Sequence, residues 1–215
     1  MSNYVAGLDL AQSSDYSALV IANHLQQDDG EKESPLIDVY HVQHVQRWRG
    51  VPYPALVHEV CSILATPPLR GRIGLTIDAT GVGRAVMDLF WKAHQDGNLD
   101  PPAWGLTITA GQEAAAGHVP KKDLVAKLVV LFEQGRLKIA ADVPLAKELQ
   151  AELQEFRSRI NASAHVSFDA PVGKHDDLVI ALALCTYFRR MVNEPDRIDP
   201  RGEIHRRDVD AWATA

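Results

Sequence analysis

Apolar residues recur along this chain with two different spacings. Near the N-terminus three short runs carry β-branched and aromatic residues, which suits strands. They are Tyr4 to Ala11, Ser17 to Asn23 and Leu36 to Val45. Gln12-Ser13-Ser14-Asp15 reads as a turn by composition, and the polar stretch Gln26 to Ser34 as a hairpin loop. Together they predict a β-meander. The spacing then becomes helical over Tyr53 to Leu64, with Leu56, Val57, Val60, Ile63 and Leu64 on one face and Pro52 and Pro54 where a helix starts. Ile73 to Asp78 reads as a short buried strand. Thr80-Gly81-Val82-Gly83 is a turn, and Arg84 to His94 a helix carrying Val86, Leu89 and Phe90. Trp104 to Thr109 predicts a strand, and the Ala- and Gly-rich stretch Ala110 to His118 a mobile loop. Lys121 to Gln134 is an amphipathic helix with Leu124, Val125, Leu128 and Leu131, stopped by Gly135. A strand at Leu137 to Ala140, a helix at Leu145 to Phe156, a strand at His165 to Phe168 and a helix at Asp177 to Arg190 complete the pattern. A meander followed by alternating strands and helices predicts an α/β domain: a mixed sheet with helices on its faces. Residues 191–215 are polar, charged and Pro-containing, and read as a tail that is disordered or binds a partner.

Composition narrows the setting. With 215 residues and 46% hydrophobic content, the chain has room for one large core. Cys61 and Cys185 both sit in apolar helical patterns, so they read as buried thiols of a reducing compartment rather than as a disulfide. No apolar stretch is of membrane length and no signal-peptide pattern opens the chain, which points to the cytoplasm. A net charge of −6 argues against coating nucleic acid through bulk charge. It leaves open a nuclease whose acidic site takes up metal before it meets phosphate.

Candidate chemistry lies at three places where an apolar run meets acid. Asp9 falls within the first strand, Asp78 ends the strand from Ile73, and Asp176-Asp177 open the last helix. A carboxylate costs several kcal/mol to desolvate unless something pairs with it. Three such places in one small domain suggest a shared cation. Hard oxygen donors without a Cys or His cluster favour Mg²⁺ or Mn²⁺ over zinc. Each acid also has an ordinary explanation. Asp9 can be satisfied by backbone groups, Asp78 can cap its turn, and Asp176 and Asp177 can serve as helix-start residues. Gly81-Val82-Gly83 lacks the third glycine of a dinucleotide-binding loop, because Val86 stands there. Candidates for phosphate contact are Arg47 and Arg49 around Trp48, Lys121 and Lys122 at a helix start that disfavours cations, and Lys174 beside the acids.

The order of the acids resembles an RNase H-like nuclease, with its mixed sheet of antiparallel meander plus parallel strands flanked by helices. In that fold the first strand is central, the later acidic strand lies beside it, and the last helix crosses the sheet. The local sequence narrows the resemblance. Gly7-Leu8-Asp9-Leu10-Ala11 with Ser14-Asp15-Tyr16-Ser17-Ala18-Leu19-Val20, then Asp78-Ala79-Thr80-Gly81-Val82-Gly83, then Gly173-Lys174-His175-Asp176-Asp177-Leu178-Val179-Ile180-Ala181-Leu182-Ala183, resemble the three motifs of the nuclease domain of tailed-phage terminase large subunits. The resemblance covers roughly Val5 to Arg190 and implies a nuclease domain over residues 1–190. It implies a metal-dependent endonuclease that cuts concatemeric double-stranded viral DNA, with two Mg²⁺ or Mn²⁺ ions and no nucleotide. Asp9, Asp78 and Asp177 carry over as metal ligands, with Asp176 as alternative or companion and His175 in support. Two ions roughly 3.5–4 Å apart would clamp the attacking and leaving oxygens, with water as nucleophile. The implied partners are a packaging ATPase domain or subunit, the small terminase subunit and the portal, in the cytoplasm of a bacterial host.

Whole terminase large subunits carry an N-terminal ATPase, whereas this sequence has no Gly-x-x-x-x-Gly-Lys-Ser/Thr. The expectation is therefore an excised domain or a separately encoded nuclease subunit that does not translocate DNA by itself. The alternatives are a Holliday-junction resolvase, which would need a dimer and a more basic surface, and a non-catalytic packaging adaptor of the same fold.

Overall fold

The computed structural model describes residues 4–11, 15–28, 30, 36–81, 83–110, 117–162 and 176–193. Seven strands, β1 (Tyr4–Asp9), β2 (Tyr16–Gln27), β3 (Ile37–Arg49), β4 (Ile73–Asp78), β5 (Trp104–Thr109), β6 (His118–Pro120) and β7 (Leu137–Ile139), form one sheet in the order β6-β5-β4-β1-β2-β3-β7. The five helices are α1 (Tyr53–Leu64), α2 (Gly83–Gln95), α3 (Lys121–Glu133), α4 (Ala146–Ala162) and α5 (Asp177–Asn193). β1 is central. It pairs antiparallel with β2 and parallel with β4, while β5 continues the parallel side and β3 the antiparallel hairpin.

Strand alternation assigns each residue to a face. On β1, Ala6 and Leu8 pack with Leu19 and Ile21 of β2, Ile73, Leu75 and Ile77 of β4, and helices α1 and α2. The opposite parity, Val5 of β1 with Ala18, Val20 and Ala22 of β2, packs beneath α3, α4 and α5. Asp9 shares the parity of Val5 and Gly7, and Asp78 that of Gly74 and Thr76, so both acids belong to the α5 face.

Gly7 sets how closely α5 approaches. A Cβ there would lie 1.9 Å from the Ala181 carbonyl oxygen and 2.4 Å from the Cys185 nitrogen. Further down, the Cys185 thiol meets the Val5 carbonyl oxygen at 3.2 Å. Four residues of helix advance about 6 Å and two residues of strand about 6.7 Å, so the two elements stay in step. Continuing that step upward from Gly7 and Ala181 brings Asp9 to the level of Asp177.

Several elements differ from the sequence expectation. Asp9 ends β1 rather than lying in its middle. β2 and β3 run further than their apolar cores, because a long hairpin keeps pairing from Tyr16 opposite Arg49 to Gln27 opposite Ile37 through polar residues. Within it the register shifts: Ile21 faces His44 but Ala22 faces Val42, leaving Gln43 as the extra residue of a β-bulge. Tyr40 and Val42 therefore face α5 on one side of the bulge, and Val45 and Arg47 on the other. His118, expected at the end of a loop, opens the short strand β6. α5 continues to Asn193, three residues past the expected end. The expected strand at His165 to Phe168 and the tail from residue 194 lie outside the described residues. Among those described, no helix is long and apolar enough to cross a membrane.

Candidate active site

The acids gather at one end of the α5 face. β1 and β4 are in register up to Leu8 opposite Ile77, so Asp9 and Asp78 are the next residues on two adjacent parallel strands. Past Asp78 the chain turns sharply. The Asp78 carboxylate accepts a hydrogen bond from the Thr80 amide at 2.8 Å, and position 83 takes only glycine because a Cβ there would stand 2.3 Å from the Asp78 carbonyl oxygen. The Thr80 hydroxyl accepts from the Ile108 amide at 2.9 Å, tying the turn to β5. Asp176 and Asp177 arrive at the N-terminal end of α5, where the helix dipole favours negative charge. The Asp176 carbonyl accepts the Ile180 amide at 2.9 Å, so Asp176 is the residue that opens the helix.

Electrostatics links these groups. Burial holds the Asp9 carboxyl well above the usual aspartate range, and the charges of Asp78, Asp177 and Asp176 push it further, with Lys121 opposing. Burial also raises Asp78, against the Thr80 hydrogen bonds and the charge of Lys121. Crowded carboxylates that repel one another disfavour ionisation. A cation held between them would relieve that cost.

Two resident cations already answer the α5 acids. Lys121, at the start of α3, reaches Asp176 at 2.8 Å. Arg47, turned to this face by the bulge, grips both oxygens of Asp177: Nε to Oδ2 at 2.5 Å and Nη2 to Oδ1 at 3.1 Å. The same Nη2 donates to Oε1 of Glu152 on α4. Burial alone would lower the Arg47 pKa, but the two carboxylates outweigh it and hold the guanidinium above its ordinary value. Burial pushes Glu152 up to about 7, with Arg47 opposing. Its second oxygen, Oε2, is buried with no hydrogen-bond partner among the described residues.

The donor chemistry at Asp9 and Asp78 fits a hard divalent cation: oxygen donors only, on two half-buried carboxylates whose burial disfavours the bare anion. Asp177 is engaged by Arg47. Among the described residues no three His, Cys, Asp or Glu side chains stand close enough together to hold one ion.

The remaining sequence candidates are dispersed. Arg49 lies two residues beyond Arg47 with the same parity. It is exposed, and its guanidinium sits 5.3 Å from the Tyr16 ring centroid, as does that of Arg47. Trp48 between them is buried against the α1 and α2 side. Lys122 is half-buried beside Lys121. Lys174 and His175 lie outside the described residues.

Glu152 was not singled out from the sequence, although a signal existed. Among the described positions of α4, Ala146, Leu149, Leu153 and Phe156 are buried, and Glu152 stands beside Leu153, three residues after Leu149, where that repeat favours an apolar residue.

A sequence model of the terminase RNaseH-like domain matches residues 6–186. The chain belongs to this family. The match spans β1 to α5, and so contains all four acids. Solved structures agree in fold. The large terminase nuclease of the thermophilic phage G20c is 22% identical with a TM-score of 0.57, over 86% of this chain and 81% of that one. The human cytomegalovirus terminase nuclease domain, Mn-soaked and inhibitor-bound, is 12% identical with a TM-score of 0.52, over 86% of this chain and 82% of that one. The HK97 bacteriophage large terminase is 18% identical with a TM-score of 0.52, over 86% of this chain but 39% of that one. No curated protein sequence matches the chain. The expected RNase H-like fold is therefore the observed one, and this terminase domain carries Asp9 and Asp78 at strand ends and Asp176 and Asp177 at the start of α5.

Proposed function

We propose that this domain is the nuclease of a genome-packaging terminase, a divalent-metal-dependent endonuclease that hydrolyses phosphodiester bonds of concatemeric double-stranded DNA. What supports the reading is that Asp9 and Asp78 follow one another on neighbouring strand ends, near enough to Asp176 and Asp177 at the start of α5 for all three charges to act on Asp9. The family supports it, and so does the Mn-soaked cytomegalovirus relative.

Asp9 and Asp78 would hold Mg²⁺ or Mn²⁺, with Asp177 or Asp176 completing the donors. When bound, such ions make water nucleophilic at neutral pH and stabilise the departing oxygen. The chain's own residues do the rest. The Thr80 amide fixes the Asp78 carboxylate, and Gly83 lets the turn close behind it. Close packing of α5 on Gly7 holds Asp177 level with Asp9. Arg49, exposed beyond the acids, is suited to backbone phosphate, as are Lys122 and Lys174; such contacts carry no sequence preference. The sequence carries no recognised base-reading motif, and cleavage should show little sequence specificity.

The chain spans about two-fifths of the HK97 large terminase. Translocation would then belong to an ATPase domain or subunit outside this sequence, acting with the small subunit and portal in the host cytoplasm. We assign the nuclease unit to residues 1–190 and partner contact to the tail.

Supercoiled plasmid incubated with Mn²⁺, Mg²⁺ or EDTA tests the reading. Nicking and linearisation should require metal and vanish in Asp78→Asn and Asp9→Asn. One observation favours a second reading, a packaging adaptor that does not cut: Arg47 and Lys121 already engage Asp177 and Asp176. Plasmid intact under every metal, with the ATPase partner added, would favour it.

A further inference from the structure

Arg47 is placed on the acidic face by the bulge at Gln43 and shared between two carboxylates on different helices, Asp177 of α5 and Glu152 of α4. The arrangement is enclosed: Arg47 and Asp177 keep 16% and 6% of their side-chain surface exposed. An arginine paired with Asp177 alone would lose its carboxylate partner on letting go, and a largely enclosed guanidinium left unpaired is unfavourable. Glu152 changes this. It already accepts from Arg47, and its buried Oε2 has no hydrogen-bond partner among the described residues. Arg47 can therefore give up Asp177 and remain paired, leaving the Asp177 oxygens to another cation.

We propose that Arg47 is a resident counter-ion that holds Asp177 until a divalent cation arrives, and that Glu152 is the acceptor onto which Arg47 then falls back. The pair sets how tightly the site takes its cation. This rests on the metal-dependent reading above and deepens it. Arg47 and Glu152 are positioning residues: they act on the cation through Asp177. Linkage makes the exchange reciprocal, so whatever weakens the hold of Arg47 on Asp177 strengthens cation binding, and the reverse.

The two substitutions predict opposite signs. Arg47→Met removes the competitor and should tighten Mn²⁺ binding by about tenfold, within the usual range of such couplings. Glu152→Gln removes the fall-back acceptor, confines Arg47 to Asp177 and should weaken binding by several-fold, roughly fivefold on the same scale. The double variant should follow Arg47→Met, since Glu152 has nothing left to receive. A simple clamp that orients Asp177 predicts instead that both single substitutions weaken binding.

The experiment is Mn²⁺ titration of the chelator-stripped full chain, read by the electron paramagnetic resonance of free Mn²⁺, with circular dichroism melts with and without the metal. Asp78→Asn serves as the reference for the site. Opposite shifts support the proposal, and shifts of the same sign overturn it. If Arg47→Met does not fold, Arg47→Lys and Glu152→Gln keep the test. Lysine retains the charge but not the two-pronged grip, and should tighten binding by a smaller factor. Wild-type binding unaffected by Asp78→Asn would overturn the metal-dependent reading itself, and the exchange with it.

Discussion

Asp9 shows how one residue bears opposing demands. Its carboxyl is raised by burial and by three neighbouring acids, so in metal-free solution its ionised form weakens the fold. Asp9→Asn keeps the shape and removes the charge. It should therefore raise the melting temperature in EDTA while abolishing plasmid cleavage; a lower midpoint in EDTA would remove the charge-repulsion account. Asp78→Asn should behave similarly but gain less, because the Asp78 carboxylate already has the Thr80 amide as donor. Such a gain in stability from a loss of function is expected wherever a site is assembled against its own electrostatics.

At the scale of elements, the fit of α5 on β1 positions the site. Gly7→Ala would press a methyl group into the backbone of α5 at Ala181 and Cys185. We expect a cost of roughly 3 kcal/mol or more in urea denaturation, in the range of severe overpacking. Cleavage per folded molecule should also fall, since α5 carries Asp177. Much of this scale was legible in the chain. The spacing over Tyr53 to Leu64, and the short runs Ile73 to Asp78 and Trp104 to Thr109, gave element limits identical to those observed. The ends of β2 and β3 were hidden, because pairing through His24, Gln26, Gln46 and Arg49 depends on the partner strand rather than on apolar pattern. The acids were legible as residues, since each ends or begins an apolar run. Their cationic partners were not: the face of Arg47 depends on a register shift, and Glu152 meets it across 105 residues of sequence.

For the whole molecule, the sheet separates two cores. Phe90 lies fully buried on the α1 and α2 side, away from the acids. Phe90→Ala should cost about 3–5 kcal/mol of stability yet leave cleavage per folded molecule close to wild type, measured below the new melting transition. Charge gives a second global signature. Asp9 and Asp78 are raised above the usual aspartate range, and Glu152 is raised to about 7. Each binds its proton more tightly folded than unfolded, so the metal-free domain should lose stability as pH rises from about 4 to 7. Melts across that interval should slope downward in EDTA and flatten with Mn²⁺ present.

The extra residue at Gln43 acts on the hairpin as a shift of reading frame acts on codons. Every side chain from His44 to Arg49 owes its direction to the bulge that takes this residue out of the ladder. Pairing Gln43 into the ladder, with the bulge ironed out, would swing Arg47 toward α1 and α2 and offer Trp48 to the acids, whereas deleting Gln43 would leave both where they are. Relatives that pair this hairpin without the bulge should therefore be matched by which way a side chain points, because equal position in an alignment can then mean opposite sides of the sheet.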